Sequence, residues 1–262
     1  MTASFSPLQR YWQMWEPKLK TILRSSSNAR LEFPHKLKLD PTPDAGGFAV
    51  VRPASPICIY DAPQKASSKK RGDSHRLIIV MNGSFKLIAE PKHPCLMGAT
   101  CSITFLNKEH ESDDALRVKL VDALHFDVDS KPFHPIFHAQ RGIGTSVEEC
   151  RQLLGKFWHG DSNKIEIDLT SENHVLSNPY LRLPTPQLDL FAVFTMVAAD
   201  YFCNGGEIAN DSGVIDRFRS ILNLLADEKN IVREGRAAKC LNDRFTAAKN
   251  ICAAHWYPEV AN

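Results

Sequence analysis

The sequence predicts an α+β fold: an N-terminal amphipathic helix, an antiparallel β-sheet of about six or seven strands, and a C-terminal helical bundle packed on that sheet. Three observations predict it. Apolar residues recur at steps of three and four near the N-terminus, short β-type runs fill residues 46–140, and helical periodicity returns after Gly142. Strands and helices that are segregated along a chain are typical of the α+β class.

The composition is that of an ordinary globular protein, with 43% hydrophobic and 24% charged residues. It excludes disordered, collagen-like and coiled-coil chains. No stretch approaches the roughly 18 apolar residues of a membrane span, and residues 1–17 lack the apolar run of a secretory signal. We therefore expect a cytoplasmic protein without a membrane partner. The seven cysteines form no Cys-x-x-Cys pair, which predicts reduced structural thiols.

The first helix is predicted over Ser6 to Leu23, where apolar residues follow helical spacing. Its aromatic stripe of Tyr11, Trp12 and Trp15 has two interpretations. It is either a docking face for a partner protein or a cover for the edge of the core. Pro17 lies in the middle of this helix and predicts a kink or a break, because proline removes a backbone donor and clashes with the preceding turn.

Seven β-type runs follow. The candidate strands are residues 47–52, 57–61, 75–82, 84–90, 100–107, 116–129 and 133–140. Asn82 and Gly83 separate two of these runs and predict a hairpin turn, since both residue types tolerate a positive φ. Residues 64–74 and the acidic stretch from Lys108 to Asp114 are predicted to be exposed, mobile loops.

Helical segments dominate from residue 146. Ser146 and Glu149 form a capping box that begins a helix running to about His159. The remaining predictions are a short strand at residues 164–169 and helices over residues 187–202, 213–227 and 230–256. A boundary near residue 145 would give regions 1–145 and 146–262. We expect the two to pack as one unit, because an all-apolar helix needs a sheet to cover it.

One constellation of residues points to chemistry. Residues 124–141 contain three histidines, and strand alternation places His125 and Asp127 on one face. A turn at residues 130–133 would pair His125 with His138 across the two strands, roughly 5 Å apart. The three side chains could then share a divalent metal ion or act as acid and base. They would equally fit a half-solvated strand pair with Asp–His ion pairs, or a ligand-recognition face.

Basic residues give a weaker indication of anion binding. Lys and Arg outnumber Asp and Glu over residues 1–100, and Lys69, Lys70 and Arg71 form a basic loop. No aromatic residue is interleaved there to stack on bases, so a solvated loop is the alternative to nucleic-acid binding. Arg141 precedes a turn with two glycines, but that turn lacks the lysine of phosphate-binding loops and predicts a helix cap.

These features lead to two functional hypotheses. The first is a non-catalytic partner-binding or regulatory subunit of a macromolecular complex, whose partner is another protein. The alternative is a metal-dependent or His-based hydrolase acting on phosphodiesters, with His125, Asp127 and His138 as ligands or acid–base groups and Arg141 as an anion clamp. Convergence of the three side chains in a concave site favours the hydrolase, whereas dispersal and an exposed apolar patch elsewhere favour the subunit.

Overall fold

The structure, a computed structural model, has the predicted α+β architecture. It describes residues 5–24, 28–40, 48–63, 76–88, 95–128, 137–170, 183–184, 189–203 and 212–227. The helices are α1 (Ser6–Leu23), α2 (Val147–Leu154), α3 (Leu190–Val197) and α4 (Ser212–Leu225). The strands are β1 (Arg30–Glu32), β2 (Leu37–Leu39), β3 (Ala49–Pro53), β4 (Ile57–Pro63), β5 (Arg76–Ile88), β6 (Cys95–Glu111), β7 (Leu116–Val128), β8 (Phe137–Arg141), β9 (Ile165–Asp168) and β10 (Leu183–Pro184).

The ten described strands form one sheet, more than the six or seven expected. Strands β5, β6 and β7 pair antiparallel along most of their length. At one end of these three strands, β4 pairs with β5, and β9 pairs with β7 in parallel. At the other end, β3 pairs with β5 and β8 pairs with β7. Strands β1, β2 and β10 extend the sheet outside β4, β3 and β8. Strands from both sides of residue 145 therefore share one sheet.

The two faces of the sheet carry different cores. Side chains alternate along each strand, so Ile79 and Ile103 face the core that includes α1, α3 and α4, whereas Ile78 and Val80 face the core that includes α2. The first of these cores is the larger and the richer in aromatic residues. We call the second face the α2 face.

The predicted hairpin at Asn82 and Gly83 is wrong. Both residues lie within the continuous strand β5, paired with Ser102 and Cys101 of β6. A Cβ atom at Gly83 would lie 2.3 Å from the Thr100 carbonyl oxygen and 3.0 Å from Leu190 Cγ. The glycine is therefore required by close packing against β6 and α3, not by turn geometry.

Helix α1 has the predicted bounds and continues through Pro17 without a break. Its aromatic stripe is buried, with Tyr11, Trp12 and Trp15 each at most 1% exposed. Their rings pack on Phe191 and, for the two tryptophans, on Phe194 of α3. The stripe therefore covers the core and offers no docking face in this structure. This packing outweighs the roughly 3 kcal/mol that an internal proline costs a helix.

The later helices begin largely where predicted. The capping box is confirmed, because the Glu149 N–H bonds to the Ser146 hydroxyl and the Glu149 carboxylate accepts from the Ser146 N–H. Helix α2 ends at Leu154, earlier than expected, and α3 passes into a π-helical turn over Ala198–Cys203. The predicted helix at residues 230–256 lies outside the described residues. Among the described helices, none is long and apolar enough to cross a membrane.

Gly83→Ala is expected to lower the free energy of unfolding by about 2–4 kcal/mol, because the new methyl group must displace the backbone of β6. Chemical denaturation of the full chain measures this change. Gly155→Ala is the matched control. Its Cβ would lie 3.4 Å from the nearest atom, in ordinary contact, and its φ of −59° suits any residue. Equal stabilities of the two variants would contradict the packing role of Gly83.

Candidate functional site

The predicted histidine site lies where β7 pairs with β8. Asp127 is directly opposite His138, and His125 is opposite Gln140. The predicted register, which paired His125 with His138, is therefore wrong by two residues. A shift of two preserves which side chains share a face, so His125, Asp127 and His138 still lie together on the α2 face.

One carboxylate lies between two imidazole rings in this site. His125 Nε2 is 2.9 Å from Asp127 Oδ1, and His138 Nε2 is 3.7 Å from Asp127 Oδ2. The two histidines differ in access to solvent. The side chain of His138 is fully buried, whereas those of His125 and Asp127 are 27% and 22% exposed. The site therefore has an inner histidine, a bridging carboxylate and an outer histidine.

Polar side chains that sequence reasoning missed extend this site across the sheet. Opposite Asp127 lies Thr100, whose hydroxyl is 2.9 Å from that of Ser84. Opposite His125 lies Ser102, which is buried. Thr100, Ser84 and Ser102 all lie on the α2 face, beyond the end of its apolar core. The signal in the sequence is Thr100, Ser102 and Thr104, which alternate with apolar residues along one strand.

The turn after β8 borders the site but does not form an anion-binding loop. A Cβ atom at Gly144 would lie 2.2 Å from the Ser102 hydroxyl oxygen, so this turn packs directly on the strand. Glu149 already caps the helix that follows. Arg141 pairs with Leu124, a register that directs its side chain to the opposite face, and its Nε is 3.8 Å from Asp122. It is therefore not placed as an anion clamp for the histidines.

The metal-binding hypothesis gains no support from the geometry. Nε2 of each histidine faces Asp127, at distances that suit ion pairs when the histidines are protonated. Within the described ranges, no three His, Cys, Asp or Glu side chains are arranged to hold a metal ion. A divalent metal at His125, Asp127 and His138 stays a prediction. The basic residues Lys69, Lys70 and Arg71 lie outside the described residues.

Three buried cysteines are poor nucleophiles. Cys58, Cys101 and Cys150 are buried free thiols. Burial raises the pKa of the Cys58 and Cys101 thiols far above their usual range, and burial beside Glu149 raises the pKa of Cys150 to about 12. The thiolate is the reactive form, so these side chains stay protonated and unreactive near neutral pH.

A second cluster of charges was not predicted from the sequence. Asp61 has a positive φ of 63° at a bulge of β4, and only 9% of this residue is exposed. Three cations surround its carboxylate: Lys108 contacts Oδ1, while Arg76 and Arg30 lie 3.7 and 3.9 Å from Oδ2. The signal was an aspartate inside the apolar run Ile57–Ala62.

The predicted loop from Lys108 to Asp114 is wrong over its first four residues. Residues 108–111 belong to β6 and do not begin a mobile loop. Because the strand continues, the side chain of Lys108 reaches Asp61 and Glu111 and is only 11% exposed. The acidic composition of this stretch had suggested a solvated loop.

Comparisons with known proteins identify no relative. No protein-family model, curated protein or solved structure matches the chain.

The folded protein is expected to protect Cys58, Cys101 and Cys150 from thiol reagents at pH 7, because their pKa values are raised by burial. In the unfolded chain a thiol has a pKa of about 8.5, so protection is lost on unfolding. Because each thiol has a higher pKa in the folded chain than in the unfolded chain, the free energy of unfolding falls as pH rises from about 8.5 towards 12. Mass spectrometry after brief alkylation, with and without denaturant, checks the prediction. Rapid labelling of Cys150 in the folded state would contradict it.

Proposed function

We propose that the chain is a hydrolase-type enzyme that uses His125, Asp127 and His138 for acid–base chemistry. The observation that carries this proposal is the position of the Asp127 carboxylate between two imidazoles, one buried and one accessible. Convergence of the three side chains in a concave site was expected to favour catalysis over dispersed ion pairs, and the proposal is supported by the convergence alone. A positioned histidine that exchanges protons contributes about 10²- to 10⁴-fold to a reaction rate.

Each residue has a separate role in the proposal. His125 is the acid–base group, because its side chain is partly exposed and can meet a substrate or an attacking water. Asp127 orients the His125 ring, because Asp127 Oδ1 lies 2.9 Å from His125 Nε2. His138, buried on the other side of that carboxylate, is a positioning residue.

A partner-binding subunit is the second candidate, and an exposed apolar pair favours it. Ile215 and Leu222 lie seven residues apart on the same side of α4, and each is 44% exposed. Exposed apolar side chains that lie together mark interaction sites when the patch is large. The predicted face of Tyr11, Trp12 and Trp15 no longer supports this function, because it is buried.

The test is a hydrolysis screen of the full chain with p-nitrophenyl esters, p-nitrophenyl phosphate and bis-p-nitrophenyl phosphate. His125→Gln is expected to reduce any activity found by about 100-fold or more, because the proton-transfer group is lost. His110→Gln is the matched control. His110 is an exposed histidine of β6 whose ring Nε2 lies 3.2 Å from the Ser112 hydroxyl, away from the histidine site, and its loss is expected to leave the rate unchanged.

One further measurement separates the metal-dependent form of the proposal from the metal-free form. Metal content of the wild type and of His125→Ala/His138→Ala, measured by elemental mass spectrometry, decides whether the site binds a metal. If the wild type holds stoichiometric metal and the folded double variant does not, the histidine site binds a metal ion. The metal-free form of the proposal is then wrong. Equal hydrolysis rates in the wild type and His125→Gln would contradict catalysis at this site.

A further inference from the structure

A cavity of about 550 Å³ lies beside the Asp61 cluster, away from the histidine site. Its walls come from Arg30 of β1, from residues 111–113 at the β6–β7 turn, and from residues 157–160 after α2. The walls combine aromatic side chains with charged ones. Concave sites with an apolar wall and a few convergent polar groups are typical of ligand-binding sites. We call it the Arg30 cavity.

Arg30 is held in a fixed position at the edge of this cavity. Its Cζ lies 4.6 Å from the centre of the Tyr60 ring and 5.3 Å from that of Phe157, within the range of cation–π attraction. The two rings stack on each other at 5.0 Å, and Nη1 of Arg30 donates to the Phe157 carbonyl oxygen at 3.1 Å. The side chain is nevertheless 44% exposed, so part of the guanidinium faces the cavity.

The charges behind the cavity do not fully neutralise Arg30. Arg30 and Arg76 share a single carboxylate oxygen of Asp61, at 3.9 and 3.7 Å, and Lys108 contacts the other oxygen. Both distances are longer than a charged hydrogen bond. Glu111 is engaged as well, because it accepts from Lys108 and from the Tyr60 hydroxyl. Three cations therefore face two carboxylates behind the cavity, while the exposed turn at the cavity adds a third carboxylate, Asp113.

Glu111 is ionised and is held by neighbouring hydrogen-bond donors. Partial burial disfavours the ionised carboxyl, but the hydrogen bonds from Lys108 and Tyr60 outweigh burial and lower the pKa of Glu111. Asp113, by contrast, lies on the exposed turn at the cavity. Among the described residues it forms no salt bridge, and it repels an anion through solvent.

We propose that the Arg30 cavity binds the oxyanion group, carboxylate or phosphate, of a small organic molecule. The exposed edge of the guanidinium donates to the oxyanion, a pairing for which the planar fork of arginine is suited. The aromatic wall supports the body of the ligand. Trp158 is fixed in that wall by a 2.8 Å hydrogen bond from Nε1 to the Ser112 carbonyl oxygen. The proposal uses no residue of the histidine site and stands independently of it.

Isothermal titration of the full chain tests the proposal with four probes of similar size: phenyl phosphate, benzoate, benzyl alcohol and benzylamine. At least one anion is expected to bind, and benzyl alcohol at least tenfold more weakly, because it cannot pair with Arg30. Tighter binding of phenyl phosphate indicates a phosphate ligand, and tighter binding of benzoate a carboxylate ligand. Failure of both anions to bind, or preference for the alcohol or the amine, would overturn the proposal.

Three variants locate the binding. Arg30→Gln is expected to weaken anion binding about 10- to 100-fold, the equivalent of one lost charged interaction. Asp113→Asn removes a repelling charge from an exposed side chain and is expected to strengthen binding about two- to fivefold. Arg52→Gln is the matched control, because Arg52 pairs with Asp40 at 2.6 Å and does not line the cavity.

Asp113 is exposed, so Asp113→Asn is expected to fold. This variant therefore tests the proposal even if Arg30→Gln does not fold. Unchanged or weaker anion binding by Asp113→Asn would overturn the proposal, as would full binding by folded Arg30→Gln. An effect of Arg52→Gln equal to that of Arg30→Gln would assign the binding to general charge and would also overturn it.

Discussion

The antiparallel pairing of β5, β6 and β7 is the constraint on which the rest of the structure depends. Because side chains alternate along these strands, each residue is assigned to one of two faces, and the two faces are covered by different helices. The same alternation places polar groups. Ser102, His125 and Asp127 fall on the α2 face at the end where its apolar core stops, so a polar surface forms without any loop.

Irregularities in this pairing decide where buried charge lies. The bulge of β4 gives Asp61 its positive φ, a conformation that costs a non-glycine residue of order 1–3 kcal/mol. The three surrounding cations compensate for burying the carboxylate. Ordinary alternation from Cys58 places Tyr60 on the α2 face, where its ring meets Arg30 and Phe157. The bulge and the aromatic contacts of Arg30 thus lie at consecutive residues of β4.

The α2 face therefore carries two sites of different chemistry. The histidine site gathers titratable groups around one carboxylate, and the reaction proposed for it is one in which charge changes. The Arg30 cavity has one permanent cation in its wall, and the ligand proposed for it carries a fixed negative charge. The first site lies on the half of the sheet that includes β8, and the second on the half that includes β4. Neither site shares a residue with the other.

Local patterns in the sequence determined much of the fold. The bounds of α1, the capping box of α2 and most of the strand runs follow from residue spacing and residue type, which act over a few neighbouring positions. The shared face of His125, Asp127 and His138 was also predictable, because alternation survives a register shift of two.

Tertiary structure decided what depends on distant segments. The β7–β8 register, the burial of Trp12 and Trp15 beneath α3, and the need for glycine at position 83 each require a partner far along the chain. The Asp61 cluster is the clearest case, since its cations come from three strands. Periodicity tells which side of an element a residue occupies. It does not tell which residue, from elsewhere in the chain, will meet it there.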